Sequence, residues 1–478
     1  MLTASECELF GRLSVFSGDF SLQAAEKICQ GEGIPENQIL EVLASLVDKS
    51  LVEPRPTDLE ARFRLHEIAR QYARQKLETQ EHILHWQNRH LDYFVHLAEE
   101  AEPKLLGADQ LEWLNRLELE QENLRAALRL CLQDDTTADP QSADLAARLA
   151  GALWLFWFIR GHFSEGRRWS EQALALLERA GNSSPALGKV LYTMASFCFF
   201  QGDYSHANIL SQKSLSVCKA SKDAFGQVVS HHHLASVAAK QGNLIQAAKY
   251  LNQGLKIATQ LENMWLTTLM LEDLGALAVQ SGDREAAWKQ YQQALEIGSQ
   301  LGDKFTILYC LTNLAELALQ QQNLQQAAML CEESLSLSRL IGEKRGISFA
   351  LERLGQIAMQ EGQHQRAGEY LKESLNVIRG TRDRENIIEC LVNLADHEVQ
   401  QGNLEIAARL LAACEAALTT FPAGYRLDNQ AIFDQVVKDI RAHLNQGVFT
   451  AAWTLGRLMS LDQAVSFALI DHLPVSTQ

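Results

Sequence analysis

The feature that most constrains this chain is a sequence repeat with a period of 40 residues, which extends over more than half of its length. Each copy centres on a short turn such as Gln-Gly-Asp. The residue five positions after the turn glycine is alanine in six successive copies, namely Ala207, Ala247, Ala287, Ala327, Ala367 and Ala407. A repeat this regular predicts a solenoid, in which each unit buries its apolar face against the next.

Within one repeat the pattern predicts two α-helices joined by a tight turn. Apolar residues recur at helical spacing, and small residues mark the points where two helices cross closely. The turn glycine, for example Gly242, is expected to end the first helix in the left-handed conformation, and Asn243 to cap the second. Gln322 takes the glycine position in one copy, which should cost about 1 kcal/mol if the left-handed geometry is kept. We therefore predict an all-α fold.

Composition and charge argue against several functions. The chain has 59 acidic and 43 basic residues, and its net charge of −16 repels nucleic-acid phosphates. Its nine cysteines are scattered without a Cys-x-x-Cys pair, which predicts reduced thiols rather than disulfides or a zinc site. No secretory leader follows Met1, and the most apolar run, 149–159, is too short to cross a bilayer. We expect a cytoplasmic protein with no membrane contact, metal or cofactor.

The amino-terminal residues do not follow the repeat. Helices are predicted near 6–16, 22–29, 36–49 and 66–77, and extended pieces near 51–53 and 62–65 flank a proline-containing turn at 54–60. Helices with a two-stranded wing describe a winged-helix-like domain. Residues 1–80 hold 13 acidic and 9 basic side chains, so charge disfavours DNA binding through the third helix.

The repeat resembles the tetratricopeptide (TPR) family in its order of leucine, small residue, alanine and second small residue. The resemblance covers roughly residues 145–420, with a degenerate first unit around Gly161. It implies a right-handed superhelix of helical hairpins, a TPR-like α-solenoid. Two departures are the period, which exceeds the roughly 34 residues of a TPR unit, and the lack of a proline at the end of the second helix.

The segments 13–20, 43–51 and 62–72 resemble bacterial signal-transduction ATPases of the STAND class (NB-ARC type). In that family a winged helix links a nucleotide-binding module to a TPR sensor; residues 113–128 resemble the start of the sensor and 449–469 its end. No GxxxxGK[ST] phosphate loop occurs in the sequence. We therefore expect the ATPase module to be missing or to lie on another polypeptide.

The STAND resemblance also implies a nucleotide-sensing residue. Leu65-His66-Glu67 matches the family's Met-His-Asp motif, whose histidine touches the β-phosphate of ADP, with Leu and Glu in place of Met and Asp. Imidazole suits this role because it can donate a hydrogen bond to an anion. The alternative for His66 is a structural position at the start of a helix.

These observations predict four regions along the chain. The winged-helix-like domain occupies residues 1–80, a helical linker or start of the sensor 81–144, and capping helices 421–478. The TPR-like repeats occupy residues 145–420, with turn anchors near 161, 202, 242, 282, 322, 362 and 402.

The first helix of each hairpin is expected to line the concave face of the array, where TPR proteins bind partners. The candidate binding residues there are Tyr192, Phe199, His232, Lys240, Glu272, Tyr309, Thr312, Glu316, Phe349, Glu352, Gln356 and Asp396. Acids interleaved with aromatic residues would suit a basic or amphipathic peptide or protein. The alternative is a solvated charged face without a partner.

Two other clusters do not predict a site. His231, His232 and His233 are consecutive, and neighbours on a helix point about 100° apart, so they cannot converge on one metal ion. Trp154, Trp157 and Trp169 are typical of core packing or of a cap on the array. No catalytic constellation with a recognisable context is present in the sequence.

We expect a non-enzymatic TPR scaffold or sensor that binds a ligand or protein for a signalling or transcriptional regulator. The first alternative is a free-standing TPR adaptor that assembles protein complexes. A DNA-binding winged-helix regulator is the second alternative, and the acidic charge disfavours it.

Overall fold

The computed structural model describes residues 2–31, 33–57, 60–79, 83–132, 139–181, 184–381, 383–421, 427 and 429–470. The chain forms two compact units. The first comprises Met1–Leu105, Leu111–Leu153 and Trp169–Ala186, and the second comprises Leu106–Gln110, Trp154–Arg168 and Leu187–Gln478.

The amino-terminal elements combine helices with a small sheet, as predicted. Their bounds are α1 (Ala4–Leu13), β1 (Phe20–Ser21), α2 (Leu22–Cys29), a 3-10 turn (Glu36–Gln38), α3 (Ile39–Asp48), β2 (Val52–Pro56), β3 (Ala61–Leu65) and α4 (Glu67–Thr79). Apolar side chains of all four helices form the core of this module, among them Leu13, Ile28, Leu43 and Leu77.

The sheet corrects two details of the sequence prediction. It has three strands in the order β1-β3-β2, because Phe20 and Ser21 pair antiparallel with β3. Pro54 does not belong to the turn but lies inside β2, opposite Phe63. Proline is tolerated there because β2 is an edge strand and needs no donor on its outer side. Residues 58 and 59 of the predicted turn lie outside the described residues.

The described residues that follow α4 form helices joined by turns. The first unit continues with α5 (Ile83–Lys104), α6 (Gln110–Leu119), α7 (Gln121–Leu132) and α8 (Pro140–Ala152). The helices that follow are α9 (Trp154–Ile159), α10 (Phe163–Arg179), α11 (Ala186–Phe200), α12 (Tyr204–Ala220), α13 (Ala224–Lys240), α14 (Leu244–Gln260), α15 (Met264–Ser281), α16 (Arg284–Leu301), α17 (Lys304–Gln320), α18 (Leu324–Ile341), α19 (Lys344–Gln360), α20 (His364–Ile378), α21 (Arg384–Gln400), α22 (Leu404–Leu418), α23 (Gln430–His443), α24 (Gln446–Arg457) and α25 (Leu461–Ala468).

Helix length explains the long period of the repeat. Each helix from α12 to α19 has 17 or 18 residues, and the turns between them are three residues or shorter. The predicted hairpin solenoid is thereby confirmed. Among the residues that the structure describes, no helix is long and apolar enough to span a bilayer.

The turns follow the predicted chemistry. The anchor glycines are left-handed, for example Gly242 at φ 76°, and Gln322 keeps the same geometry at φ 60° despite its side chain. Asn243 accepts a hydrogen bond from the backbone of Gln246 and so caps α14. A second left-handed position recurs with the same period in the turns between hairpins. It is occupied by Lys222 and Glu262 in the first two of these turns and by Gly302 and Gly342 in the next two. A non-glycine residue in this conformation carries local strain.

Small residues allow the helices of a hairpin to approach closely. Ala287 and Ala327 are fully buried. A Cβ atom added to Gly275 on α15 would lie 2.6 Å from the Tyr291 ring of α16. A larger side chain at such a crossing would push the helix axes apart.

Contacts over long sequence separations close the second unit on itself. The Arg160 guanidinium donates to the backbone oxygen of Ile341 at 2.7 Å, and the Tyr204 hydroxyl donates to Glu385 at 2.8 Å. The buried amide of Gln110 donates to Asp303 at 2.8 Å. The segments that precede the first regular hairpin are therefore held against repeats that lie far later in the chain.

A cavity lined by the first helices of the repeats

A cavity of about 180 Å³ lies within the second unit, between α9 and the first helices of successive hairpins. Helix α9 contributes Trp154, Leu155 and Phe158, and the five first helices contribute Ser196 and Phe200 (α11), Val229, His232 and His233 (α13), Trp265, Leu269 and Glu272 (α15), Phe305 and Tyr309 (α17), and Arg345 (α19). This set combines a mostly aromatic wall with a few polar groups, which is typical of small-molecule sites.

The aromatic rings of the wall contact one another edge to face. The Trp154 and Trp265 centroids are 6.3 Å apart, and Phe158 lies 4.7 Å from Phe200 and 5.6 Å from Phe305. Such pairs hold each other in place beyond what area burial contributes. The wall is therefore largely preformed.

Ionisable groups in and around the wall differ in how they are paired. His232 contacts the Asp273 carboxylate at 2.5 Å, and Arg345 lies 2.9 Å from Asp383 and 4.3 Å from the centroid of the Phe200 ring. Glu272 has no such basic partner among the described residues; only the Cys310 thiol donates to it, at 3.5 Å. Burial, together with the nearby Asp303 and Asp273, raises the pKa of Glu272 well above its usual range.

The twelve candidates on the predicted concave face are not all brought together. His232, Glu272 and Tyr309 line the cavity, and Tyr192 is buried against Trp154 at a centroid distance of 6.3 Å. Phe349 lies beside Arg345, 5.3 Å from its guanidinium, and Phe199 packs on Tyr204.

The remaining candidates make other contacts within the repeats. Lys240 pairs with Glu385, Glu316 pairs with Arg353 at 2.5 Å, Gln356 bonds Asn393 at 3.2 Å, and Asp396 accepts from Gln400 at 3.5 Å. Thr312 is buried against Ser334 of α18, and Glu352 is buried among Ser348, Cys390 and Asn393. The structure places these last two side chains between helices rather than on a free surface.

Sequence reasoning missed most of the aromatic wall. The second residue of the first helix is aromatic in three successive repeats, at Phe225, Trp265 and Phe305, and this periodic signal could have identified the wall. The sequence predicts core packing or a cap on the array for Trp154, and in the structure this residue lines the cavity. Its placement depends on α9, which has no counterpart in the repeat pattern.

His66 lies at a separate cavity of about 420 Å³ within the first unit. It follows β3 directly, its side chain is 62% exposed, and its Nε2 lies 3.9 Å from Glu53. Arg55, Arg64 and Arg70 line the same cavity, but each already pairs with a carboxylate. The site thus offers an exposed imidazole among arginines whose charges are already balanced by carboxylates.

Another cluster was not considered from the sequence. The side chains of Cys198, Asp203 and His206 bring three potential metal-ligand atoms within 4.8 Å of one another. Asp203 already pairs with Arg167 at 3.2 Å and caps α12. These structural roles account for the arrangement.

Comparison with known proteins decides the two domain types. The family profile of the winged helix-turn-helix domain matches residues 2–78, and that of the tetratricopeptide repeat matches residues 346–420. The chain joins a winged helix to TPR repeats. Both predicted resemblances at the domain level are confirmed.

Curated relatives and solved structures agree with this architecture. Proteins of Mycobacterium bovis and Mycobacterium tuberculosis that carry the provisional name HTH-type transcriptional regulator are 34% identical over 175 residues. The alignment covers 36% of this chain and 19% of each relative, so the chain spans about a fifth of the length of the proteins it matches.

A crystal structure with a similar fold is that of a STAND protein with a tetratricopeptide repeat sensor from Pyrococcus horikoshii. The TM-score is 0.52 at 16% sequence identity, over 95% of this chain and 66% of that one. At this identity the likeness concerns the fold.

A buried carboxyl beside the cavity makes the stability of the TPR array depend on pH. Glu343 caps α19 and accepts a hydrogen bond from Tyr309 of the cavity wall at 3.4 Å. Burial raises its pKa from 4.5 to about 7. The folded state therefore holds this proton while the unfolded chain releases it, so the array should lose up to about 3 kcal/mol from this group as the pH rises from 4.5 through 7.

We expect Glu343→Gln to remove that loss, since the amide oxygen can keep the cap without a charge. Thermal melts at pH 5 and pH 8 should show a smaller decrease for the variant than for the wild type. Glu333→Gln, at an exposed position of α18, is the control and should melt like the wild type. An unchanged pH slope in Glu343→Gln would contradict the assignment.

Proposed function

We propose that this chain is the sensor part of a STAND-type signalling or transcriptional regulator, and that its TPR array binds a small ligand in the cavity between α9 and the repeats. The single observation that carries the proposal is this aromatic-walled cavity, built from six helices of one compact unit. The chain itself is a scaffold without catalytic function.

The site favours a compact ligand over a long peptide. Two acids of the predicted concave face are not free to recognise a basic peptide, because Glu316 is paired with Arg353 and Glu352 is buried between helices. The space that remains is about 180 Å³, which suits a compact aromatic molecule rather than an extended peptide.

The winged helix supplies the second half of the proposal. In this interpretation it transmits the ligand state of the array to a nucleotide-binding module, with His66 as the residue that meets the nucleotide phosphate. The exposure of His66 and its arginine neighbours support this role. The fold likeness to the STAND protein from Pyrococcus horikoshii, whose sensor is a TPR array, gives further support.

A free-standing adaptor remains the alternative, and a genomic observation separates the two. A GxxxxGK[ST] phosphate loop encoded upstream in frame, or in a neighbouring gene, favours the sensor. A small ligand that occupies the cavity also favours the sensor, because an adaptor needs an open surface for its partners.

The cavity can be tested with N-phenyl-1-naphthylamine, a neutral dye that fluoresces in apolar sites. We expect saturable binding with one dye per chain. Leu269→Trp should fill the cavity and abolish binding, whereas Leu261→Trp, at a position 44% exposed on the neighbouring turn, should not. Dye binding that is absent from the wild type, or equal in both variants, would overturn the proposed site.

A further inference from the structure

The charge balance of the cavity wall indicates what kind of ligand it takes. Arg345, its one permanently charged cation among the lining residues described, has Asp383 at 2.9 Å and lies over Phe200 at 4.3 Å. Its charge is therefore balanced before any ligand enters. An anionic ligand would have to compete with Asp383 for it.

Glu272, unlike Arg345, has no partner of opposite charge among the described residues. Its carboxyl lines the cavity, its nearest charged neighbours include the acids Asp273 and Asp303, and its recorded donor among the described residues is a weak one, the Cys310 thiol. A half-buried carboxyl in such surroundings gains most from a cation that approaches through the cavity.

The rings beside Glu272 suit the same ligand. Trp265 lies about two helical turns before it on α15, and Trp154 and Phe305 line the same cavity. Aromatic faces attract cations, and tryptophan attracts them most strongly. In addition, the lining residue His233 is 3% exposed, and its Nδ1 has no hydrogen-bond partner within the part of the chain that the structure describes.

We propose that the cavity binds a small cationic amine, with the ammonium against Glu272 and the apolar body among Trp154, Trp265 and Phe305. This inference rests on the proposed ligand-binding function and narrows it to one chemical class. Recognition needs no covalent step: the ammonium stabilises the ionised carboxylate of Glu272, whose proton leaves to solvent, and the rings exclude solvent around the ion pair.

The test uses three probes of nearly equal size that differ in charge: 2-phenylethylamine, 2-phenylethanol and 3-phenylpropionate. For each probe we measure how well it displaces N-phenyl-1-naphthylamine from the full chain at pH 7.5. We expect the amine to compete about tenfold better than the alcohol, and the carboxylate to compete least. Equal competition by amine and alcohol, or a preference for the carboxylate, overturns the proposal.

The Glu272→Gln variant tests whether Glu272 causes the preference for the amine. Glu272→Gln should reduce the advantage of the amine over the alcohol to about twofold or less, with both affinities measured against that of the dye for the same variant. Glu296→Gln, an exposed substitution on α16, should keep the wild-type ranking. An undiminished amine preference in Glu272→Gln overturns the role of Glu272.

The two levels of the proposal can fail separately. If the dye does not bind, the cavity is not a ligand site and the proposed function fails with it. If the dye binds and Leu269→Trp abolishes binding, but the probes show no charge preference, only the amine inference fails. The ranking of the three probes is measured on the wild-type chain. The amine inference can therefore be refuted even if Glu272→Gln misfolds.

Discussion

Replacement of Arg62 by alanine is expected to lower the free energy of unfolding of the winged helix by about 3–5 kcal/mol. Arg62 lies on β3 with a fully buried side chain. Its guanidinium donates to Glu120 at 2.7 Å and to Glu60 at 2.6 Å, and also to the backbone oxygens of Asp19 and Leu119. The truncated side chain would leave the buried Glu120 carboxylate without its cationic partner and with only the Asn123 amide as a recorded donor, and it would remove one donor from each of the two carbonyls.

Arg64 provides a matched control on the same strand. It pairs with Asp19, but its side chain is 48% exposed, so Arg64→Ala should cost no more than about 1 kcal/mol. Urea denaturation read by hydrogen-exchange mass spectrometry separates peptides of residues 2–79 from those of the repeats. Equal losses in the two variants would contradict the buried network.

A double variant distinguishes the pair from the packing around it. Arg62→Met combined with Glu120→Leu removes both charges at once, and apolar replacement of a buried ion pair is often neutral. We expect the double variant to recover most of the stability that Arg62→Ala loses. A loss as large as that of the single variant would mean that the bonds to Asp19 and Leu119 dominate.

The second large effect is expected at a helix crossing in the repeats, where Ala327→Trp should cost about 1–3 kcal/mol through overpacking. Ala327 on α18 is fully buried in a cluster with Ala315 and Leu319 of α17 and Leu351 of α19. An indole at this site cannot fit without moving a helix axis.

Met329 is the control for this substitution, because it lies two positions further along α18 and is 65% exposed. Met329→Trp should change the melting temperature little. In a solenoid the loss should fall first on the neighbouring helices, so amide exchange should accelerate in α17–α19 before α12 and α13. A stable Ala327→Trp variant would show that the assigned repeat register is wrong.

Local sequence predicted the repeats well because each hairpin is specified within a single repeat. The left-handed anchors and the alanine crossings follow from backbone geometry and side-chain size, which act over one or two turns. Gln322 illustrates the strength of this constraint: it keeps φ 60° although it is not glycine, because the packed hairpin on either side requires the turn.

Features that depend on contacts between distant segments could not be predicted from local sequence. Strand β1 consists only of Phe20 and Ser21 and acquires its identity from pairing with β3, which comes after three further helical segments and β2. Glu352 and Thr312 fit the register of a lining position, yet neighbouring helices bury them. Register alone does not state which face of a helix a later element will cover.

The amino-acid sequence by itself determined that this chain is a winged helix followed by helical hairpins, because periodicity, small residues and turn chemistry are local properties. Only the tertiary structure decided that α9 meets the first helices of the repeats and encloses an aromatic cavity. Contacts such as that between Phe158 and Phe305 join residues far apart in the chain. The tertiary structure also decided that Glu272 has no basic partner among the described residues, because the partners of such a carboxyl depend on which helices surround it.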